Sequence, residues 1–407
     1  TAVQPDGLLV IAGIRQDSSQ VIVVRFGTNN LPDPSFGSGG LVAFTPPNHV
    51  FQIAGLAVQL DGKILVAGTA SAAGNFNNDF MLARFNTNGS LDTSFGTGGF
   101  VSQDLVSASD DRCSAMVLQS DGKVVLCGET VTTPNFNPQY YMSLARFDTN
   151  GVLDSSFGTS GVVLNPGAGT ALSLVLEGDG NILTCAGNTV FRYTTNGVPD
   201  GSFGSGGKVS IPTAYVITAL ALQGPGIQAG QPAMIVAAGT SAGGVLVSRL
   251  SLSGDLDTSF NGVGYVSQAI GANSRVSAVR CVISWIFSRV IKIIVSGDTD
   301  GGTNFMVARF NSDGSTDTSF GNSGATLTPL SGDSVQDYAF AVMPGAVLVQ
   351  VGTRAVYGLC ESDIVVARYI YSTGLLDTNF YGSGVLSTNI GNRLAEANAV
   401  AIQPDGK

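Results

Sequence analysis

The chain has 407 residues, of which 44% are hydrophobic and only 12% charged, with 54 glycines and a single histidine. A formal net charge of −10 and a pI near 4.5 exclude the clustered Lys and Arg of a phosphate-tracking surface, so nucleic acid is not an expected partner. No uncharged apolar run is long enough to span a bilayer, so no membrane insertion is expected, and neither is a metal centre built on one histidine without a Cys-x-x-Cys pair.

Taken in chain order, one unit recurs seven times. An alternating run such as Leu56-Ala-Val-Gln59 meets the turn Leu60-Asp-Gly-Lys63, and a second apolar run, Ile64-Leu-Val-Ala67, follows. Asp-Gly between two such runs predicts a hairpin. After a variable loop comes a third strand, Phe80-Met-Leu-Ala-Arg-Phe85. The turn Asn86-Thr-Asn-Gly-Ser90 and the segment Leu91 to Gly99 then lead into a short fourth strand, Phe100-Val-Ser102. No window carries a long stripe of 3.6-residue period, so helix should be scarce. Four short antiparallel strands per unit predict an all-β, seven-bladed β-propeller, with residues 1–407 as one domain.

The third strand of every unit carries an arginine: Arg25, Arg84, Arg146, Arg192, Arg249, Arg309 and Arg368, spaced 59, 62, 46, 57, 60 and 59 residues apart. Eight residues after six of them stand Asp33, Asp92, Asp154, Asp200, Asp257 and Asp317, and nine after the seventh stands Asp377. A residue present in every blade serves what every blade needs, so these are read as structural ion pairs that pin the segment between strands three and four. The Phe three residues beyond each Asp is read as a wedge between blade faces.

The units also depart from one another. Unit four lacks the loop before its third strand, and units five to seven lose the Asp-Gly turn, as in Gln223-Gly-Pro-Gly226 and Pro344-Gly345. In unit six the turn is apolar and carries the only tryptophan, so Trp285, Ile286 and Phe287 form a candidate partner patch. Val400 to Lys407 repeats the phase of Thr1 to Leu8 at an offset of 399 residues. One turn of the ring then takes 399 residues, and either one end is displaced or the chain is a window from a longer array. The five cysteines (Cys113, Cys127, Cys185, Cys281 and Cys360) are irregularly placed, with a Cys113–Cys127 bridge across one hairpin left open.

Gln-Pro-Asp-Gly-Lys, Leu-Ala-Arg-Phe, Asn-Gly-x-Leu-Asp-x-Ser-Phe-Gly and Gly-Gly, repeated at about 60 residues, resemble the delta-60 repeat. The resemblance covers essentially the whole chain. It implies a mainly bacterial, often secreted or surface-associated propeller, and it brings no shared reaction or catalytic residues.

Function is therefore sought where the units differ. In a propeller the loops joining strands two to three and four to one share a face. The unit-three loop, Val131 to Tyr141, offers Asn135, Phe136, Asn137, Gln139, Tyr140 and Tyr141, amides and aromatics suited to a glycan or peptide. The loop Arg354 to Asp363 offers Tyr357, and Thr45 to Phe51 carries His49. Asp148-x-Asn150-Gly151-x-x-Asp154 and Asn311-x-Asp313-Gly314-x-x-Asp317 superficially resemble calcium loops, but calcium takes six to eight oxygens and Asx turns account for these residues without it. No cofactor is expected. The reading is a non-enzymatic structural or protein-interaction propeller, extracellular or at a bacterial cell surface. The alternative is a carbohydrate-binding propeller using the loop-rich face. A third, an enzyme with a carboxylate site at the channel mouth, requires two acidic groups within about 10 Å of each other on that face.

Overall fold

The computed structural model describes residues 1–15, 20–29, 31–71, 77–133, 137–224, 233–284, 290–330, 334–343, 345–356, 361–389 and 398–402. They form seven four-stranded antiparallel sheets, each with its strands in sequence order, and no helix occurs among the described residues. The fold is a seven-bladed β-propeller. The blades occupy residues 2–44, 49–103, 110–166, 173–210, 214–268, 275–329 and 334–389.

Two compact units divide the chain: Thr1–Gly187 with Phe191–Asp200, and Asn188–Val190 with Gly201–Lys407. Within the first, apolar clusters lie between successive blades. Val23 and Phe36 of blade one pack with Val66 and Met81 of blade two, and Leu65 and Phe95 of blade two pack with Val124 and Phe147 of blade three. The second unit repeats the arrangement with Val247 and Phe260 against Val295 and Phe310, and Phe305 and Phe320 against Leu348 and Tyr369. Both faces of the middle strands are thus buried, which is why Ile64–Ser71 is buried at every residue and is mostly apolar rather than alternating.

Local chemistry explains the turns. The Asp61 and Asp121 carboxylates each accept the amide two residues on, from Lys63 and Lys123 at 3.1 Å, closing Asx turns in which Gly62 and Gly122 take a positive φ. The first strand of most blades is bulged, and a glycine of the second strand faces the bulge. A Cβ on Gly68, Gly128, Gly297 or Gly352 would lie 1.8–2.0 Å from a backbone carbonyl oxygen, so only glycine fits.

These bulges also change the expected boundaries. His49 was expected in a loop, but the first strand of blade two continues through two bulges back to His49, which pairs with Ser71. The unit-three loop is likewise shorter than expected, because Val131 and Thr132 end one strand while Gln139, Tyr140 and Tyr141 begin the next. Cross-strand pairing extends the hairpin where sequence alternation alone suggested loop. Blade four is short because its second and third strands, Ile182–Ala186 and Thr189–Tyr193, are joined only by Gly187 and Asn188. The first hairpins of blades five, six and seven form without Asp-Gly, although residues 225–232, 285–289 and 344 lie outside the described residues. Ala2–Val3 supply the first strand of blade one; residues 398–402 take no strand, and 403–407 lie outside the described residues. Cys113 and Cys127 are free and buried, paired with different neighbours across a register shift.

Candidate functional site

Six of the seven repeated arginines are buried: Arg25, Arg84, Arg146, Arg192, Arg249 and Arg309. All seven face their Asp across 2.6–2.9 Å. In most blades the Asp is held in turn by a Ser two residues on: Ser94 donates its amide and its hydroxyl to Asp92 Oδ1, while in the last blade Asn379 donates its amide to Asp377. Burial alone would raise the Asp92 carboxyl, but Ser94, the Lys63 ammonium at 3.0 Å and the Arg84 charge outweigh it and hold it well below the usual carboxylate range. Lys123 at Asp154 and Lys292 at Asp317 do the same, with the same result.

The arginine also reaches the next blade, which the spacing alone did not reveal. Arg25 donates to the Thr87 carbonyl at 2.6 Å, Arg84 to Thr149 at 2.5 Å and Arg309 to Tyr371 at 2.5 Å, while Arg146 and Arg249 donate to Thr195 and Ser312. Each of these guanidinium groups also lies 4.4–5.0 Å from the centroid of its own blade's repeat Phe. The Phe rings in turn seat glycines of the following blade's turn, Gly89 on Phe36 and Gly151 on Phe95. These residues are consumed in joining blades and hold nothing out to a ligand.

The loop-bearing end of blades two and three is different. Asp79 opens the third strand of blade two, Asp104 follows its fourth strand, and Asp111 stands near the start of blade three. One carboxylate oxygen from each lies within 4.8 Å of the other two. Asp111 is fully buried; its Oδ2 accepts the Leu105 amide at 2.8 Å and the Ser109 hydroxyl at 2.9 Å. Asp104 accepts the Ala108 amide and the same Ser109 hydroxyl, and Asp79 accepts Ser102, which also receives Asn48. Among the described residues no Lys or Arg pairs with the trio; the neighbouring Arg112 pairs with Asp110 instead. Burial, reinforced by the Asp104 charge, pushes the Asp111 carboxyl up to about 6 and raises Asp79 as well. Sequence reasoning missed this trio because its members come from three strands of two blades. Their only shared signal is acid density at the blade ends, as in Asp104 and Asp110-Asp111.

The expected ligand residues fall unevenly around this end. Across blade three the register aligns Asp111 with Thr130 and Thr130 with Tyr141, and Asp110 with Val131 and Val131 with Tyr140. Tyr140 is 51% exposed, Gln139 and Asn137 are exposed, and Tyr141 is half-buried. Asn48, the neighbour of His49, reaches the trio through Ser102. Asn135, Phe136, Tyr357, Trp285, Ile286 and Phe287 lie outside the described residues, as does the side chain of His49. The suggested calcium loops are otherwise engaged: Asp148 Oδ1 accepts the amides of Asn150 and Val152, Asp313 Oδ1 accepts Ser315, and Asp154 and Asp317 face Arg and Lys. Elsewhere, a groove of about 440 Å³ between blades one and two is lined by Leu41, Phe44, Phe85 and Leu91 and carries no titratable group.

The second unit buries a polar network of its own. Asp337 accepts the Ser296 hydroxyl at 3.0 Å, Gln350 donates to the Gly297 carbonyl, and Tyr369 donates to Gln350. Burial, with a contribution from Asp298, pushes the Asp337 carboxyl up to about 8, so it is a neutral acid at pH 7.

A family model described as a domain of unknown function (DUF5122) β-propeller matches residues 4–36, 59–95, 119–157 and 292–320. No curated protein matches the sequence. Among solved structures the chain is similar to a protein of unknown function from Bacteroides caccae, at 10% identity and TM-score 0.38, covering 80% of this chain and 98% of that one. It is also similar to hydrazine synthase of Kuenenia stuttgartiensis, at 11% identity and TM-score 0.45, covering 88% and 92%. A third is the GH32 β-fructofuranosidase of Bombyx mori, at 10% identity and TM-score 0.33, covering 94% and 83%. At these identities and TM-scores no property of these proteins carries over to this chain.

Proposed function

We propose that the chain is a non-enzymatic interaction propeller of the delta-60 type, secreted or displayed at a bacterial surface, which meets a protein partner at the loop-bearing end of blade three. One contrast carries this reading. Most of the repeated Arg and Phe residues are buried, and five of the arginines are spent on blade joints, whereas Tyr140, 51% exposed beside exposed Gln139 and Asn137, presents an aromatic face and amides outward. A Gly-rich chain with only 12% charged residues fits an extracellular setting. An enzyme built on the carboxylate trio is disfavoured despite its close spacing, because fully buried Asp111 has no access to a substrate bond.

A carbohydrate ligand is the second reading, favoured by the same exposed tyrosine with neighbouring amides, which stack on and hydrogen-bond to sugars. A photo-crosslinking side chain at position 140, activated in the producing cells, distinguishes the two when combined with a glycan array. A defined protein adduct supports the first reading. Array binding that disappears in Tyr140→Ala supports the second. Turnover of any arrayed glycan overturns the non-enzymatic assignment.

A further inference from the structure

Each repeat Asp has its Arg, Asp92, Asp154 and Asp317 have a Lys as well, and Asp298 has Arg275 at 2.9 Å. Asp337 has no such partner among the described residues and is held neutral chiefly by burial. Asp79, Asp104 and Asp111 differ from both cases: buried, half-buried and exposed in the order Asp111, Asp79, Asp104, they place three carboxylate oxygens within 4.8 Å of one another with no Lys or Arg pairing among the described residues.

A second observation at the same place comes from outside the trio. The Thr130 hydroxyl is fully buried opposite Asp111 and close enough to act on its carboxylate. Yet neither Thr130 Oγ1 nor Asp111 Oδ1 stands in hydrogen-bond geometry with any partner. A buried hydroxyl and a buried carboxylate oxygen outside good hydrogen-bond geometry are costly, and an ion held between the three carboxylates would relieve that cost for Asp111 Oδ1. Three carboxylates around one point favour a positive partner.

We infer that Asp79, Asp104 and Asp111 bind a divalent cation, with calcium as the ion their chemistry selects. The donor set is oxygen only, which suits hard cations and not zinc or copper. Oxygens spread over up to 4.8 Å are spanned by two calcium–oxygen bonds of about 2.4 Å each. Asp104 is exposed, so water completes the shell on that side. The ion ties the ends of two strands of blade two to the first strand of blade three, beneath the sheet end that carries Tyr140 and Tyr141.

The test is calorimetric titration of the 407-residue chain with CaCl2 after chelator treatment and dialysis, alongside MgCl2 and MnCl2. One calcium per chain is expected, accompanied by a rise in Tm. Asp104→Asn, at the exposed member of the trio, should weaken binding at least about tenfold. Asp148→Asn, in a repeat turn, should not affect binding. Absence of calcium binding up to about 10 mM, beyond the weakest extracellular modules, overturns the assignment. Undiminished binding by Asp104→Asn also overturns it, and equal or tighter binding of magnesium or manganese overturns the choice of calcium.

Discussion

Arg84 of blade two donates to the main-chain carbonyl of Thr149 in blade three at 2.5 Å while facing its own Asp92 at 2.8 Å. One buried guanidinium thus neutralises an acid inside its blade and fastens that blade to the next. Both side chains are nearly inaccessible, so removing either partner leaves the other charge uncompensated. Arg84→Ala is expected to lose about 3–5 kcal/mol, read as a lowered urea midpoint. Lys63→Met, which removes only the partly exposed third member, should lose no more than about 1 kcal/mol. Equal effects from the two would refute the latch.

The turn of each following blade is seated on the preceding Phe. Gly151 has a φ of +81°, and a Cβ there would lie 2.9 Å from the Phe95 ring. Gly98 has a φ of +63° with open space around it. Gly98→Ala should therefore cost only the left-handed strain, about 1–2 kcal/mol. Gly151→Ala should add about 1–3 kcal/mol of overpacking. Thermal unfolding of the two variants provides the comparison, and indistinguishable values would argue against the seat.

Stability should depend on pH through Asp337. Its folded carboxyl titrates near 8, above its ordinary value, so the folded chain holds a proton that the unfolded chain has released. That contribution is complete below about pH 4 and is lost as pH rises toward 8. Asp92, Asp154 and Asp317 act with the opposite sign, since their lowered values make stability fall as the medium turns acidic. Asp337→Asn keeps the neutral shape and should flatten the decline between pH 4 and 8, by on the order of a few kcal/mol at the alkaline end. A Tm–pH curve identical to that of the parent chain would show that Asp337 does not carry the effect.

Tyr140 lies outside every joint. Tyr140→Ala should change stability by no more than about 0.5 kcal/mol, so any loss of binding reports the contact itself. A large drop in Tm would instead make it a packing residue.

The sequence by itself determined the blade count, the strand grammar and the Arg–Asp partners, because each repeats at a set distance along the chain. Asp92 follows Arg84 by eight residues, a separation that one turn can close, and Asp-Gly marks its hairpins through local backbone chemistry. Tertiary structure alone decided what lies between blades. The Arg84–Thr149 bond spans 65 residues, and Asp79 meets Asp111 from another blade. The position of His49 in a strand likewise depends on bulges that its own neighbours do not encode. Such contacts are set by how sheets stack, and stacking joins residues whose separation in sequence carries no period of its own.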